Sequence, residues 1–144
     1  MKTILPFSDI NDALIEDLVA AFPDRLAPVA GPHGPRQRVM DQFPPFEVRG
    51  VGQFVRVHGL GGTDSLTTDQ GTHDIDVIAE DYTAAMDLAQ DIRTHMLRYP
   101  RRIELGARIV VLGEVRTSMR PQVVDWEDKT LTRIYSSYWI SARR

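Results

Sequence analysis

The sequence predicts an α/β (α+β) fold with a single, mostly antiparallel sheet of about four strands flanked by two main helices. Two runs of alternating apolar residues, at 54–58 and 74–79, are joined by a glycine-rich connection, as in an antiparallel strand pair. A stretch with helical periodicity follows, and two further apolar runs lie late in the chain. The 144 residues can bury one core, and no repeat or linker divides them, so we predict a single domain, 1–144.

The first helix is predicted to begin at Ser8 or Asp9, because either side chain can cap a helix. Apolar residues recur at helical spacing from Ile10 to Phe22, with an acidic outside. Pro23 then ends the helix, since proline cannot donate a backbone hydrogen bond.

Residues 24–45 are rich in proline and glycine and have no hydrophobic periodicity. A long connection without regular structure is uncommon inside a compact domain. We therefore interpret this stretch as a flexible arm or loop. An arm that contacts a partner and a plain mobile connection are equally open interpretations.

The two alternating runs predict a hairpin with one apolar face, which packs on a helix, and one polar face. Glycines in the connection supply the backbone freedom that a long turn needs. The apolar set is Val55, Val57, Ile75, Val77 and Ala79, and the polar set is Arg56, His58, Asp74 and Asp76.

The second helix is predicted to begin after Asp81, which can cap it, and to stop before Pro100. Small residues in its apolar stripe would let the helix lie close to the sheet. The stripe consists of Tyr82, Ala85, Met86, Ala89, Ile92 and Met96.

The third strand is predicted from Ala107 to Arg116, and its nearly continuous apolar residues predict a central strand with both faces covered. Pro121 should interrupt the chain after it. The last strand, 131–144, is apolar or aromatic on both faces, which indicates either a central strand or an edge that meets a neighbouring subunit. One face carries Leu131, Tyr135 and Trp139, and the other carries Ile134, Tyr138 and Ile140.

Composition narrows the function classes. The chain has no cysteine, which excludes disulfides, thiolate zinc sites and cysteine nucleophiles. Its formal charge of −3 does not favour electrostatic capture of nucleic acid or lipid. The first residues lack the apolar centre of a secretory signal, and no run is long enough for a membrane span. We expect a soluble protein made in the cytoplasm.

The best constellation for a metal or acid–base site is Asp69, His73, Asp74 and Asp76, with His58 on the partner strand. Strand alternation, however, would put His73 and Asp74 on opposite faces. A polar outer face that balances the charges of the hairpin is therefore the better interpretation.

Other catalytic signals are weak. The segment GLGG at 59–62 lacks the GxGxxG spacing and opens no helix, so it indicates a turn. No serine lies in a nucleophile-elbow context. We therefore predict no catalytic residue, no cofactor and no metal, and expect a protein that is not an enzyme.

Four arginines lie at the end of the second helix and just beyond it. They could form a phosphate-binding patch. Favourable cationic charge at a helix C-terminus is the preferred interpretation, because acidic residues surround them and no aromatic platform interleaves with them. The four are Arg93, Arg98, Arg101 and Arg102.

The order of elements resembles that of the small tail-terminator (tail-completion) proteins of long-tailed bacteriophages. The resemblance is carried by a helix near the start, FVRVHGLGG, TTD before HDIDVIAE, TAAMDLAQDIR, and PQVVDWED leading to a strand that ends ISARR. It spans most of the chain and is weakest at 24–45. It rests on pattern and arrangement and includes no catalytic signature.

The resemblance implies a virion assembly protein of the tail and neck, with no catalytic motif and no cofactor. It implies a ring of six copies that caps the tail tube, stops its polymerisation and forms the joining surface to the head connector. Partners would then be further copies of the chain, the tube protein and a connector or head-closure protein. Genomic DNA would pass through without specific binding.

Three other functions stay open. A head-closure or neck protein of the connector is the nearest alternative to a terminator. A small metal-dependent hydrolase would use the Asp and His residues of the hairpin, and a nucleic-acid-binding module would use the arginines between 93 and 102.

A ring that DNA crosses should have a lumen that does not hold phosphates, and acidic side chains would suit that lining. The hairpin and its loop supply such carboxylates, and the last strand supplies aromatic residues for contact with a neighbour. The candidate lumen or interface residues are Asp64, Asp69, Asp74, Asp76, Tyr135 and Trp139.

Overall fold

The computed structural model describes residues 8–64 and 68–143, apart from the side chains of residues 8, 9, 62–64 and 68. The predicted caps of the first helix, Ser8 and Asp9, lie outside the described side chains. Within the described residues, no helix is long and apolar enough to cross a membrane.

The helices begin and end close to the predicted positions. The Asp81 side chain accepts a hydrogen bond from the Ala84 backbone N at 3.2 Å, which confirms the predicted cap of the second main helix. Tyr82 is exposed, so its place on the buried stripe is wrong, and Leu88 is buried there instead. The helices are α1 (Ser8–Ala21), α2 (Pro23–Leu26), α3 (Tyr82–Met96) and a 3-10 helix (Val48–Gly50).

The main sheet has six strands where the sequence predicted about four, in the order β3-β4-β5-β8-β7-β6. Only the β3–β4 pair is parallel, so the expectation of a mostly antiparallel sheet is confirmed. A separate two-stranded sheet joins β1 and β2. The strands are β1 (Val29–Gly31), β2 (Gly34–Arg36), β3 (Val39–Met40), β4 (Gln53–Asp64), β5 (Thr68–Ala79), β6 (Arg101–Leu105), β7 (Arg108–Val124) and β8 (Thr132–Arg143).

Both main helices pack on one face of this sheet, which we call the helix face; the opposite one is the outer face. Helix α1 contacts both β4 and β6, which are far apart in the strand order, so the sheet curls around the helices. The apolar set predicted for the hairpin is buried on the helix face, as expected. The largest fully buried side chains of this core include Leu14, Leu18, Ile75, Leu88, Ile92, Ile134 and Tyr138.

The third predicted strand differs from expectation in two ways. It is strand β7, which continues past Pro121 to Val124, because the proline lies where the pairing with β8 shifts register and a ladder hydrogen bond is dispensable. Only one of its faces is well covered, since Ile109 remains 39% exposed. The strand is therefore not doubly buried. It lies beside β6, an edge strand of mixed charged and apolar residues that the sequence did not predict.

Strand β8 lies between β5 and β7, so the central-strand alternative of the prediction is correct. Ile134, Tyr138 and Ile140 are buried on the helix face, whereas Tyr135 and Trp139 lie half-buried on the outer face.

The stretch 24–45 contains more regular structure than predicted, namely α2, the β1–β2 hairpin and β3. Gly34, with φ of 114°, provides the left-handed backbone at the start of β2. The Arg38 side chain holds the stretch in place by donating to the Ala27 carbonyl at 2.6 Å and the Val51 carbonyl at 3.1 Å. These elements are too short to produce a hydrophobic period, which explains why the sequence did not reveal them.

Candidate assembly surface

A buried charge cluster lies on the outer face where β4, β5 and β8 are neighbours. Asp76 of β5 is completely buried and accepts from Arg133 Nε at 2.8 Å and Arg56 Nη1 at 3.4 Å. Sheet register explains the meeting, because Arg56 is directly opposite Asp76 and Arg133 is displaced by two residues on the other neighbour. One carboxylate thus pairs with two guanidinium groups, one from each of the strands beside β5.

Two aromatic rings, Phe43 and Trp126, cover this cluster, and we call them the aromatic cover. The Arg56 guanidinium carbon lies 4.2 Å from the Phe43 ring centroid, and that of Arg133 lies 5.1 Å from it. Trp126 contacts Phe43 with a centroid separation of 5.0 Å. Because cations over ring faces are attracted more strongly when water is excluded, the aromatic cover stabilises both arginines.

Asp74, the next outward residue of β5, is also buried and accepts a hydrogen bond from the Tyr135 hydroxyl at 2.7 Å. Burial raises the pKa of Tyr135, and the hydrogen bond to Asp74 raises it further. The tyrosine therefore stays a neutral donor at physiological pH.

His73 lies on the helix face, opposite to Asp74, as strand alternation predicted. Burial lowers the pKa of His73 to about 4, and the positive charge of His58 acts in the same direction. In the described part of the chain, no group of three or more His, Asp or Glu side chains is arranged to hold a metal ion.

The expectation that the acidic residues of the hairpin form an exposed face is wrong for three of them. Asp69, Asp74 and Asp76 have exposed fractions of only 2%, 9% and 0%. Desolvated carboxylates need internal partners, and Asp74 and Asp76 have Tyr135 and two arginines. These buried groups do not line a surface of the folded chain. The side chain of Asp64 lies outside the described residues.

The remainder of the outer face, towards β7 and β6, has no aromatic cover. Trp139 lies half-buried beneath Arg116, whose guanidinium carbon is 4.2 Å from the ring centroid. Arg116 also pairs with Glu114 at 3.1 Å. On the same face, Met119 is 42% exposed and Ile109 39%. This half presents apolar and aromatic surface bordered by the Arg116–Glu114 ion pair, a composition typical of protein contacts.

The arginines after the second helix do not act as one patch. Arg93 donates to Thr117 Oγ1 at 3.3 Å, and Arg101 pairs with Asp17 at 2.9 Å. Only Arg98 and Arg102 point to solvent. Two of the four arginines are thus engaged within the fold and two remain exposed.

Asp17 also accepts a hydrogen bond from His95 Nε2 at 2.8 Å, so one carboxylate of α1 joins α3 and β6. The His95 ring packs edge-on against Phe22. This cluster ties α1 to α3 and to the edge strand β6.

Sequence reasoning missed Phe43, Trp126 and Arg133. The last could have been found, because Arg133 and Tyr135 share a face by strand alternation. The aromatic cover carries no such signal, since Phe43 lies in a proline-rich segment and Trp126 in the β7–β8 connection.

Comparison with known proteins supports this architecture. No protein-family model matches the chain, and no curated protein matches it by sequence. A solved structure, a chain of the virion of a native gene transfer agent particle, is similar with a TM-score of 0.52 and 16% identity. The match covers 74% of this chain and 79% of that one. The chain has the fold of a virion component. At this identity the likeness concerns the fold alone.

Proposed function

We propose that the chain is a structural virion protein that caps the tail tube as a ring of six copies, by analogy with the family it resembles. The observation that carries the proposal is the fold shared with a chain of a gene transfer agent virion over about three-quarters of both proteins. The order of sequence segments independently resembles tail terminators. In this role the protein stops tube growth and joins the tube to the head connector, without catalysing a reaction.

The geometry suits assembly in two respects. The uncovered half of the outer face, with Trp139 and Met119, offers an apolar contact area bordered by charges. The sheet also ends in β6, a five-residue edge strand with no further strand beside it in the described residues. A tube-capping ring needs one surface for neighbours in the ring and others for the tube and connector.

Tyr135 and Trp139 remain candidate interface residues in this proposal. Trp139 is half-buried and reachable, whereas the Tyr135 hydroxyl is occupied by Asp74. Partners are further copies, the tube protein and a connector or head-closure protein. DNA passes through the ring without specific binding.

Electron microscopy of lysates that lack this protein tests the proposal. We expect overlong tubes without heads, because nothing stops tube polymerisation. Tails of normal length beside filled heads would contradict tube capping and favour the alternative of a head-closure protein. Normal, complete particles would exclude both roles.

A further inference from the structure

An apolar groove of about 520 Å³ lies between α1 and β3, at the end of the sheet opposite to β6 in strand order. On α1 the lining comes from half-buried Ile15 and Val19, which flank the core, and from exposed Ala20; on β3 it comes from buried Val39. The lining residues are Ile15, Val19, Ala20 and Val39, with Glu16 and Gln37.

We propose that this groove receives the β6 edge of a second copy of the chain, so that copies join head to tail. The inference rests on the proposed ring and names the surfaces through which its subunits meet. A ring requires a heterologous contact, in which two different patches of each subunit are complementary. The groove and the β6 edge are two such patches.

The groove side is negatively charged. Helix α1 contains no Lys or Arg, and among its described side chains the exposed charged ones are Asp12 and Glu16. Neither forms an ion pair within residues 8–64 and 68–143, whereas Asp17 on the same helix is already neutralised by Arg101. The carboxylates beside the groove are therefore available to a cationic partner.

The β6 edge has the opposite character. Arg98 and Arg102 are exposed there and make no ion pair in the described part of the chain, with Glu104 as the exposed acidic neighbour. Exposed Tyr99 and Ile109, at 44% and 39%, supply apolar surface next to these arginines. The exposed residues in and beside β6 are thus mostly basic or apolar, and they match an apolar groove bordered by acidic residues in both respects.

Sedimentation measurements over a range of concentrations test the contact through its charges. Glu16→Arg and Arg102→Glu should each weaken self-association at least about tenfold, because each places like charges opposite each other. Ala20→Trp, which fills the groove from an exposed position, should weaken it similarly without changing charge. Two exposed control changes, Asp87→Arg on α3 and Arg120→Glu on β7, should leave the Kd unchanged.

Mixing the two charge variants is the decisive experiment. In a head-to-tail contact, the unchanged edge of the Glu16→Arg chain meets the unchanged groove of the Arg102→Glu chain. At the next contact, the edge that now carries Glu meets the groove that now carries Arg, so the charges are again complementary. An equimolar mixture should therefore regain the wild-type Kd. A wild-type chain with a Kd of about 1 mM or weaker, variants that associate like wild type, or a mixture that stays dissociated would overturn the inference.

The association measurements and the electron microscopy of lysates can fail independently of each other. Overlong tubes in the lysates together with a failed charge swap would leave tube capping standing and remove this contact. Restored association together with normal tails would leave the contact standing and remove tube capping.

Discussion

The two faces of the sheet are held by different physical means. The helix face packs apolar side chains of α1, α3 and the strands into one continuous core. The outer face instead buries a carboxylate between two arginines and closes it with the aromatic cover, next to a small apolar cluster around Phe54 and Ile78. The stabilisation from apolar burial depends mainly on the area buried, whereas a desolvated charge becomes destabilising when any one of its partners is lost.

The two faces also differ in how far apart in the chain the residues that form them lie. The helix face is formed by periodic elements that the sequence displays. The outer face is completed by Phe43 and Trp126, which come from connections far apart in the chain. A substitution on the outer face should therefore change stability by unpairing a charge or by loosening a covering loop. On the helix face, stability should depend on side-chain volume and on protonation.

The largest expected effect is removal of the buried carboxylate. Asp76→Ala leaves Arg56 and Arg133 unpaired beneath the aromatic cover and should lower the free energy of unfolding by about 3–5 kcal/mol. Urea denaturation measures the change. Asp87→Ala, on the exposed side of α3, is the control and should change stability by less than about 0.5 kcal/mol. A loss below about 1 kcal/mol at Asp76 would show that the cluster is not energetically important.

On the helix face, pH should act through His73. Its pKa of about 4 in the folded chain, against 6.5 for the ordinary side chain, means that the unfolded state binds more protons between these values. Stability should therefore fall as pH drops through this window, by up to about 3 kcal/mol. The free energy of unfolding measured from pH 7 to pH 4 reveals it.

The His73→Gln variant should lose this part of the acid sensitivity, and His33→Gln, at an exposed position, should retain it. An unchanged pH profile in His73→Gln would contradict the assignment of the effect to this residue.

The smallest effect concerns the aromatic cover. Phe43→Leu keeps apolar volume but removes the ring over both arginines, and it should cost about 1 kcal/mol. Amide hydrogen exchange should then accelerate in residues 41–47 while α3 stays protected. Tyr82→Leu, another exposed aromatic change, serves as the control. Equal exchange in wild type and Phe43→Leu would mean that the ring does not hold the segment.

Prediction from the sequence succeeded where a period extends over several residues. The β4–β5 hairpin, α3 with its Asp81 cap and the existence of β8 follow from alternation or from helical spacing, whereas the sequence left open whether β8 is a central or an edge strand. It failed where elements are short or irregular, as in β6 and the 24–45 stretch, because three to five residues do not establish a period.

The candidate site was predicted less well for a related reason. Alternation correctly put Asp74 and Asp76 on the face away from the helices, but it contains no information about what covers that face. Burial of Asp76 depends on Phe43 and Trp126, whose positions are set by tertiary contacts. Polarity in the sequence was therefore mistaken for exposure.

Cryo-electron microscopy of the virion that contains this protein tests the central proposal most directly. Tube capping predicts a ring of this fold between the last ring of the tail tube and the head connector. Density for this fold in another part of the particle, or its absence from the finished particle, would contradict the proposal.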